Sequence, residues 1–155
     1  MLSYIILATL IPAILANTSG VASCSGNPTQ PIQVSVLGCS QTPCNIVLGQ
    51  RTGIEIIFKA DRDIPNFKPT ATAYVFGMPL DHTLPDDVVN GACKNLSNGE
   101  CPIPKDTTVA YNFELLVSPS YPPTSNIDVD IALVDDSSKT IVCSRIRINA
   151  VKAIL

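Results

Sequence analysis

The chain predicts an all-β fold, an immunoglobulin-like β-sandwich of about seven strands, and three observations carry that expectation. Short runs of alternating apolar and polar residues recur along it, bounded by Pro, Gly, Asn or Asp. No stretch has the three-to-four spacing of an amphipathic helix. Thirteen prolines fall mostly between the runs, as suits a residue that interrupts central ladders.

IQVSVL at 32–37 is the first expected strand, and NIVL at 45–48 is a short second. GIEIIFK at 53–59 sets Ile54, Ile56 and Phe58 against Glu55, Ile57 and Lys59. TATAYVF at 70–76 is ambiguous, because Ala71, Ala73 and Val75 oppose Thr72, Tyr74 and Phe76. VAYNFELLV at 109–117 is the clearest, with Val109, Tyr111, Phe113, Leu115 and Val117 on one face. NIDVDIALV at 126–134 opposes Ile127, Val129, Ile131 and Leu133 to Asp128 and Asp130. TIVCSRIRIN at 140–149 opposes Val142, Ile146 and Ile148 to Arg145, Arg147 and Asn149, after a polar turn at Asp135–Lys139. Such runs predict two packed antiparallel sheets. The chain has no Trp, so the Cys–Trp–Cys pattern of a true immunoglobulin domain is missing.

The 155 residues suit one domain, with no repeat or linker. The opening run MLSYIILATLIPAILA is almost wholly apolar and gives way to polar NTSG. It is short for a membrane span and stands where a secretory signal belongs. The expectation is a signal peptide at 1–16, cleaved between Ala16 and Ala22 with Ala16 preferred, and a secreted, extracellular, soluble domain at 17–155. The segment lacks an N-terminal Lys or Arg, and Ile14 occupies the −3 position before that cut.

Charged residues are 15% of the chain, the net charge is −3 and the pI about 4.9. No basic field exists to attract nucleic acid or anionic headgroups. Six cysteines, at 24, 39, 44, 93, 101 and 143, read as a disulfide framework in an exported chain. Spacing alone leaves the connectivity open. Cys39 with Cys44 and Cys93 with Cys101 are close enough for local clamps, which leaves Cys24 and Cys143 to tie the ends together. With no CxxC motif and one histidine, a zinc site is disfavoured.

Catalytic chemistry finds little support. His82 lies in the Pro- and Asp-rich GMPLDHTLPDD with no nucleophile motif near it, and reads as an exposed loop histidine. Asp86–Asp87 and Asp135–Asp136 are neighbours that point to opposite faces of an extended chain, so neither forms a converging dyad. Arg145 and Arg147 read as an outer surface, with a small anion site as the alternative. Asn95-Leu96-Ser97 is a glycosylation sequon in the Cys93–Cys101 stretch; Asn17-Thr18-Ser19 abuts the cleavage site. The prominent feature is apolar surface: two faces rich in Ile, Val, Leu, Phe and Tyr must meet.

These residues resemble the ML lipid-recognition family, most closely its Niemann-Pick type C second-protein branch. The resemblance rests on PC-N-I-x-x-GQ at 43–50, FGMP at 76–79, CPIPKD at 101–106, SxxYPP at 118–123 and LVDD…VC at 133–143. It extends over essentially the whole mature chain. It implies the pairings Cys24–Cys143, Cys39–Cys44 and Cys93–Cys101, and an apolar cavity between the sheets with its mouth near the loops. By position in matching motifs, Val36, Ile46, Phe58, Val75, Leu80, Leu115, Val117, Tyr121, Pro122, Ile131 and Ile148 would line that tunnel. Tyr121 and Pro122 would sit at the entrance, Tyr121 or a loop amide receiving a polar head.

Sterol-carrying vertebrate members have tryptophan where this chain has Ile131 and Ser144, and an aromatic where it has His82 or Leu84. The resemblance therefore implies an arthropod-like carrier of fatty acids or similar semiochemicals. Cholesterol is the alternative ligand and a non-carrier interaction module the alternative class. The implied carrier is a monomer without cofactor, metal or stable membrane insertion, handing its ligand to a delivery receptor. It is not an enzyme.

Overall fold

The computed structural model describes residues 17–154, so the apolar segment 1–16 lies outside the described residues. Nine strands occur among them. They are β1 (Ala22–Ser23), β2 (Gln33–Val36), β3 (Cys44–Val47), β4 (Arg51–Lys59) and β5 (Phe67–Val75). β6 (Met78–His82), β7 (Thr108–Leu116), β8 (Thr124–Asp135) and β9 (Thr140–Val151) complete the set. The larger sheet runs β1-β9-β8-β5-β6, with β3 also paired to β9, and the smaller runs β2-β4-β7. Among the pairings of these nine strands, β3–β9 alone is parallel. The chain is an immunoglobulin-like sandwich.

Every expected run is a strand, and β1 and β6 are additions. The ambiguity of β5 is settled by burial, since Phe67, Pro69 and Ala71 are buried while Lys68 and Thr70 are exposed. Ala73 and Val75 continue the inner row. On the facing sheet the inner row is Ile54, Ile56 and Phe58 with Val109, Tyr111 and Phe113. Aromatic edges lock the two layers: Phe67 meets Phe58 at 6.0 Å and Tyr111 at 5.1 Å, both edge-on.

Disulfides join Cys24 to Cys143, Cys39 to Cys44 and Cys93 to Cys101. The Cys93–Cys101 stretch begins in a 3-10 turn (Ala92–Asn95) that follows the short helix α1 (Asp86–Asn90). Asp86 and Asp87 occupy the first turn of α1, where negative charge suits the helix dipole. Beyond Cys101, Ile103 exchanges two backbone hydrogen bonds with Ile64, and both side chains are fully buried. That pairing plugs one end of the sandwich.

Candidate ligand site

The inner faces are filled unevenly. At the end plugged by Ile64 and Ile103, the inward residues Phe58, Phe67, Val109, Leu133 and Val142 are fully buried. Four strands lose that cover toward their other ends. Along β5 the inner row passes from buried Phe67 to half-buried Ala73 and Val75; along β7, from Val109 to half-buried Leu115. Along β8 it passes from Leu133 to Val129 and Ile127, and along β9 from Val142 to Ile148. All four gradients point the same way: the registers place Ala73 beside Val129 and Val129 beside Ile146, and Val109 pairs with Phe58, which meets Phe67 across the sheets. One end of the apolar interior is therefore incompletely covered.

The edge strand β6 extends that uncovered face. Phe76 and Gly77 form the two-residue turn that returns the chain from β5, with φ of +51° and +77°. Glycine takes that left-handed conformation freely, whereas Phe76 does so against steric cost. The turn sets Val75 opposite Met78, Ala73 opposite Leu80 and Ala71 opposite His82. Met78, Leu80 and His82 thus share the inner face, yet Met78 is 65% and Leu80 56% exposed. This is a row of apolar side chains with no facing strand over it.

Across the opening stands the Pro-rich loop between β7 and β8. Ser118 shapes it: its hydroxyl is 2.7 Å from that of Ser120 and accepts from the Ser120 amide at 3.2 Å, while its carbonyl accepts from the Tyr121 amide at 3.3 Å. Gly49 anchors the base of the loop, donating its amide to the Val117 carbonyl at 2.7 Å from a φ of +82°. Tyr121 then reaches the far sheet. Its hydroxyl lies 2.9 Å from Nδ1 of His82, and the rings meet edge-on at 5.9 Å.

The expected wall residues divide by position. Val36, Ile46, Phe58 and Ile131 are buried in the core, and Val75, Leu115, Val117 and Ile148 are half-buried toward the uncovered end. Leu80, Tyr121 and Pro122 are exposed around the opening. Sequence reasoning missed Met78, Ala73 and Val129, which belong to the same inner surface, and treated His82 as a loop residue although it ends β6. The alternation in MPLDH was the available signal, masked by its proline and aspartate.

The other candidate chemistries disperse. Arg145 forms a two-pronged pair with Asp130 at 2.6 and 2.9 Å and lies over the Tyr74 ring at 4.7 Å. With Arg147 likewise paired to Asp128, these arginines are an outer-face ladder and not a free anion site. The group Cys24, Asp130 and Cys143 gathers potential metal donors, but both sulfurs are joined in a disulfide. A groove of about 640 Å³ is lined mostly by outward residues, among them Arg51, Gly53, Asn95 and Glu114, and by none of the expected wall residues. Asn95 is exposed there. The Tyr111 hydroxyl is buried without a hydrogen-bond partner among the described residues, and burial raises its pKa above the usual phenol range. No helix among the described residues is long and apolar enough to cross a membrane.

Comparison with known proteins places this geometry in context. Residues 18–150 match a family model described as the ML domain. NPC intracellular cholesterol transporter 2 of Danio rerio is 27% identical over 154 residues, spanning 97% of this chain and 99% of that protein. A crystal structure of a Niemann-Pick type C2 protein from the Japanese carpenter ant superposes with a TM-score of 0.71 at 17% identity, covering 83% of this chain and 97% of that one. Chicken MD-1 complexed with lipid IVa superposes at 0.52 with 14% identity, covering 82% and 85% of the two chains.

Proposed function

The chain belongs to the ML domain family, and from that premise we propose that it is a secreted lipid carrier. Its ligand is a fatty acid or a similar small apolar molecule, semiochemicals included, held between the two sheets. The observation that carries this reading is the shared direction of the burial gradients in β5, β7, β8 and β9, together with the uncovered inner face of β6 beside β5. An ordinary core gains nothing by leaving Leu115, Val129 and Ile148 only half-buried. A hydrocarbon tail inserted there completes their burial, gaining about 0.8 kcal/mol per methylene before ordering costs.

The wall consists of Val75, Leu80, Leu115, Val117 and Ile148, with Val36, Ile46, Phe58 and Ile131 deeper and Tyr121 and Pro122 at the rim. The process is binding and release without bond chemistry, so no cofactor is needed. The carrier works as a monomer and passes its ligand to a delivery receptor. Asn95 carries a glycan on the outer face, away from the opening.

A sterol is the second reading, favoured by the cholesterol-transporter name of the zebrafish relative. Against it stands the aliphatic character of the half-buried wall, which offers branched side chains where a rigid ring system gains from flat ones. Displacement of an apolar fluorescent probe from oxidised, delipidated protein separates the two. Oleic acid displacing probe while cholesterol does not supports the fatty-acid reading, and preferential displacement by cholesterol replaces it. Binding of neither probe nor lipid would sink the carrier reading in favour of an extracellular interaction module.

A further inference from the structure

We propose that His82 and Tyr121 together form the polar-head site of the carrier and that the pair selects a carboxylate. This inference rests on the carrier reading and deepens it by naming the chemistry at the exposed end of the ligand. The pair stands where the uncovered inner row of β6 meets the loop between the sheets, joined by the 2.9 Å contact between Tyr121 Oη and His82 Nδ1. His82 is half-exposed and Tyr121 44% exposed, so a head held there keeps its water while the tail lies along Leu80 and the half-buried interior.

The pair always has a donor to offer. If Tyr121 donates its O–H to Nδ1, then Nε2–H of the imidazole is available. If Nδ1–H donates to the phenol oxygen, the Tyr121 O–H is available instead. An ionised carboxylate is acceptor-only, so it fits either tautomer, and its hydrogen bonds are strengthened by charge. An ester or alcohol of the same chain length buries the same tail without that gain. Selection thus resides in two side chains from different sheet connections, 39 residues apart in sequence.

The test compares oleic acid with methyl oleate, and with cholesterol as a third ligand, on the oxidised, delipidated protein. Wild-type protein is expected to prefer oleic acid to methyl oleate by roughly tenfold or more. His82→Leu and Tyr121→Phe are each expected to bring that ratio toward unity. His82 is the only histidine in the chain, so its imidazole NMR signals report the site without assignment ambiguity and without any variant. Oleic acid is expected to shift them more than methyl oleate does. Equal affinities in wild type, or a preference that survives both variants, overturns the head site even where lipid carriage is intact. Loss of the preference in Tyr111→Phe alone also overturns it, by placing the head at the buried phenol. Binding of no lipid overturns the carrier reading itself, which is a distinguishable result.

Discussion

Asp128 faces Arg147 across the β8–β9 pair, its two carboxylate oxygens accepting from Nε at 2.8 Å and Nη2 at 3.0 Å. One step along the strands, Asp130 meets Arg145 in the same two-pronged way. The ladder covers the outer face of the larger sheet with matched charge. Hydrogen bonding from Arg147 holds the Asp128 carboxyl below its ordinary value, and hydrogen bonding from Arg62 does the same for Asp135.

Those depressed values make part of the fold's stability sensitive to acid. A carboxylate with a lower pKa folded than unfolded contributes stability that is present above the unfolded value, about 3.9 for Asp, and fades as pH falls through the folded value. Urea midpoints are therefore expected to hold between pH 7 and pH 5 and to decline below about pH 4. Replacing Asp128 and Asp135 together with Asn should remove part of the decline. An unchanged acid profile in that double variant would assign the decline to other groups.

The three disulfides are expected to differ in worth. Cys24–Cys143 closes a separation of 119 residues, whereas Cys39–Cys44 closes 5 and Cys93–Cys101 closes 8. Loop-closure entropy makes the first the most stabilising, with a loss of about 3–5 kcal/mol when both cysteines become serine. Each of the local bridges should cost less. Denaturation of the three paired-serine variants ranks them, and a larger loss at Cys39–Cys44 contradicts the entropic account.

Among the described residues the core hydroxyl of Tyr111 has no partner, and its ring stacks on Phe113 at 5.5 Å and lies edge-on to Phe67. A buried donor without a partner costs free energy that its removal returns. Tyr111→Phe is expected to leave stability unchanged or raise it by about 1 kcal/mol. A lowered melting temperature would mean that the hydroxyl has a bonding partner in solution.

Val117 lies half-buried where β7 meets the loop, its amide donating to the Gln50 carbonyl. Val117→Phe should fill the opening and weaken oleic acid binding at least about tenfold, with the circular dichroism of the fold retained. Unchanged affinity in a folded variant would move the wall elsewhere.

Strands with strict alternation were legible in the chain because each has one dry face: Tyr111 and Phe113 against Asn112 and Glu114 leave one arrangement only. β1 was not legible, since two residues carry no period, and its place beside Arg145 comes from long-range pairing. β6 was hidden for another reason. As an edge strand it tolerates Pro79 and Asp81, which mimic a loop. His82 shared that fate, because its partner Tyr121 is reached through folding and not through spacing. The wall positions came from motif resemblance; the direction of the opening required the strand registers.

The uneven filling of the interior has a mechanical consequence. Packed aromatic and branched side chains resist compression, so strain travels through the Ile64–Ile103 end with little give. Compliance is left to the rim, where Met78 and Leu80 meet solvent and a proline-rich arch spans the gap. Such a vessel has a stiff base and a yielding lip. Whatever pushes between the sheets from the open end would move the lip first, while the base keeps its shape.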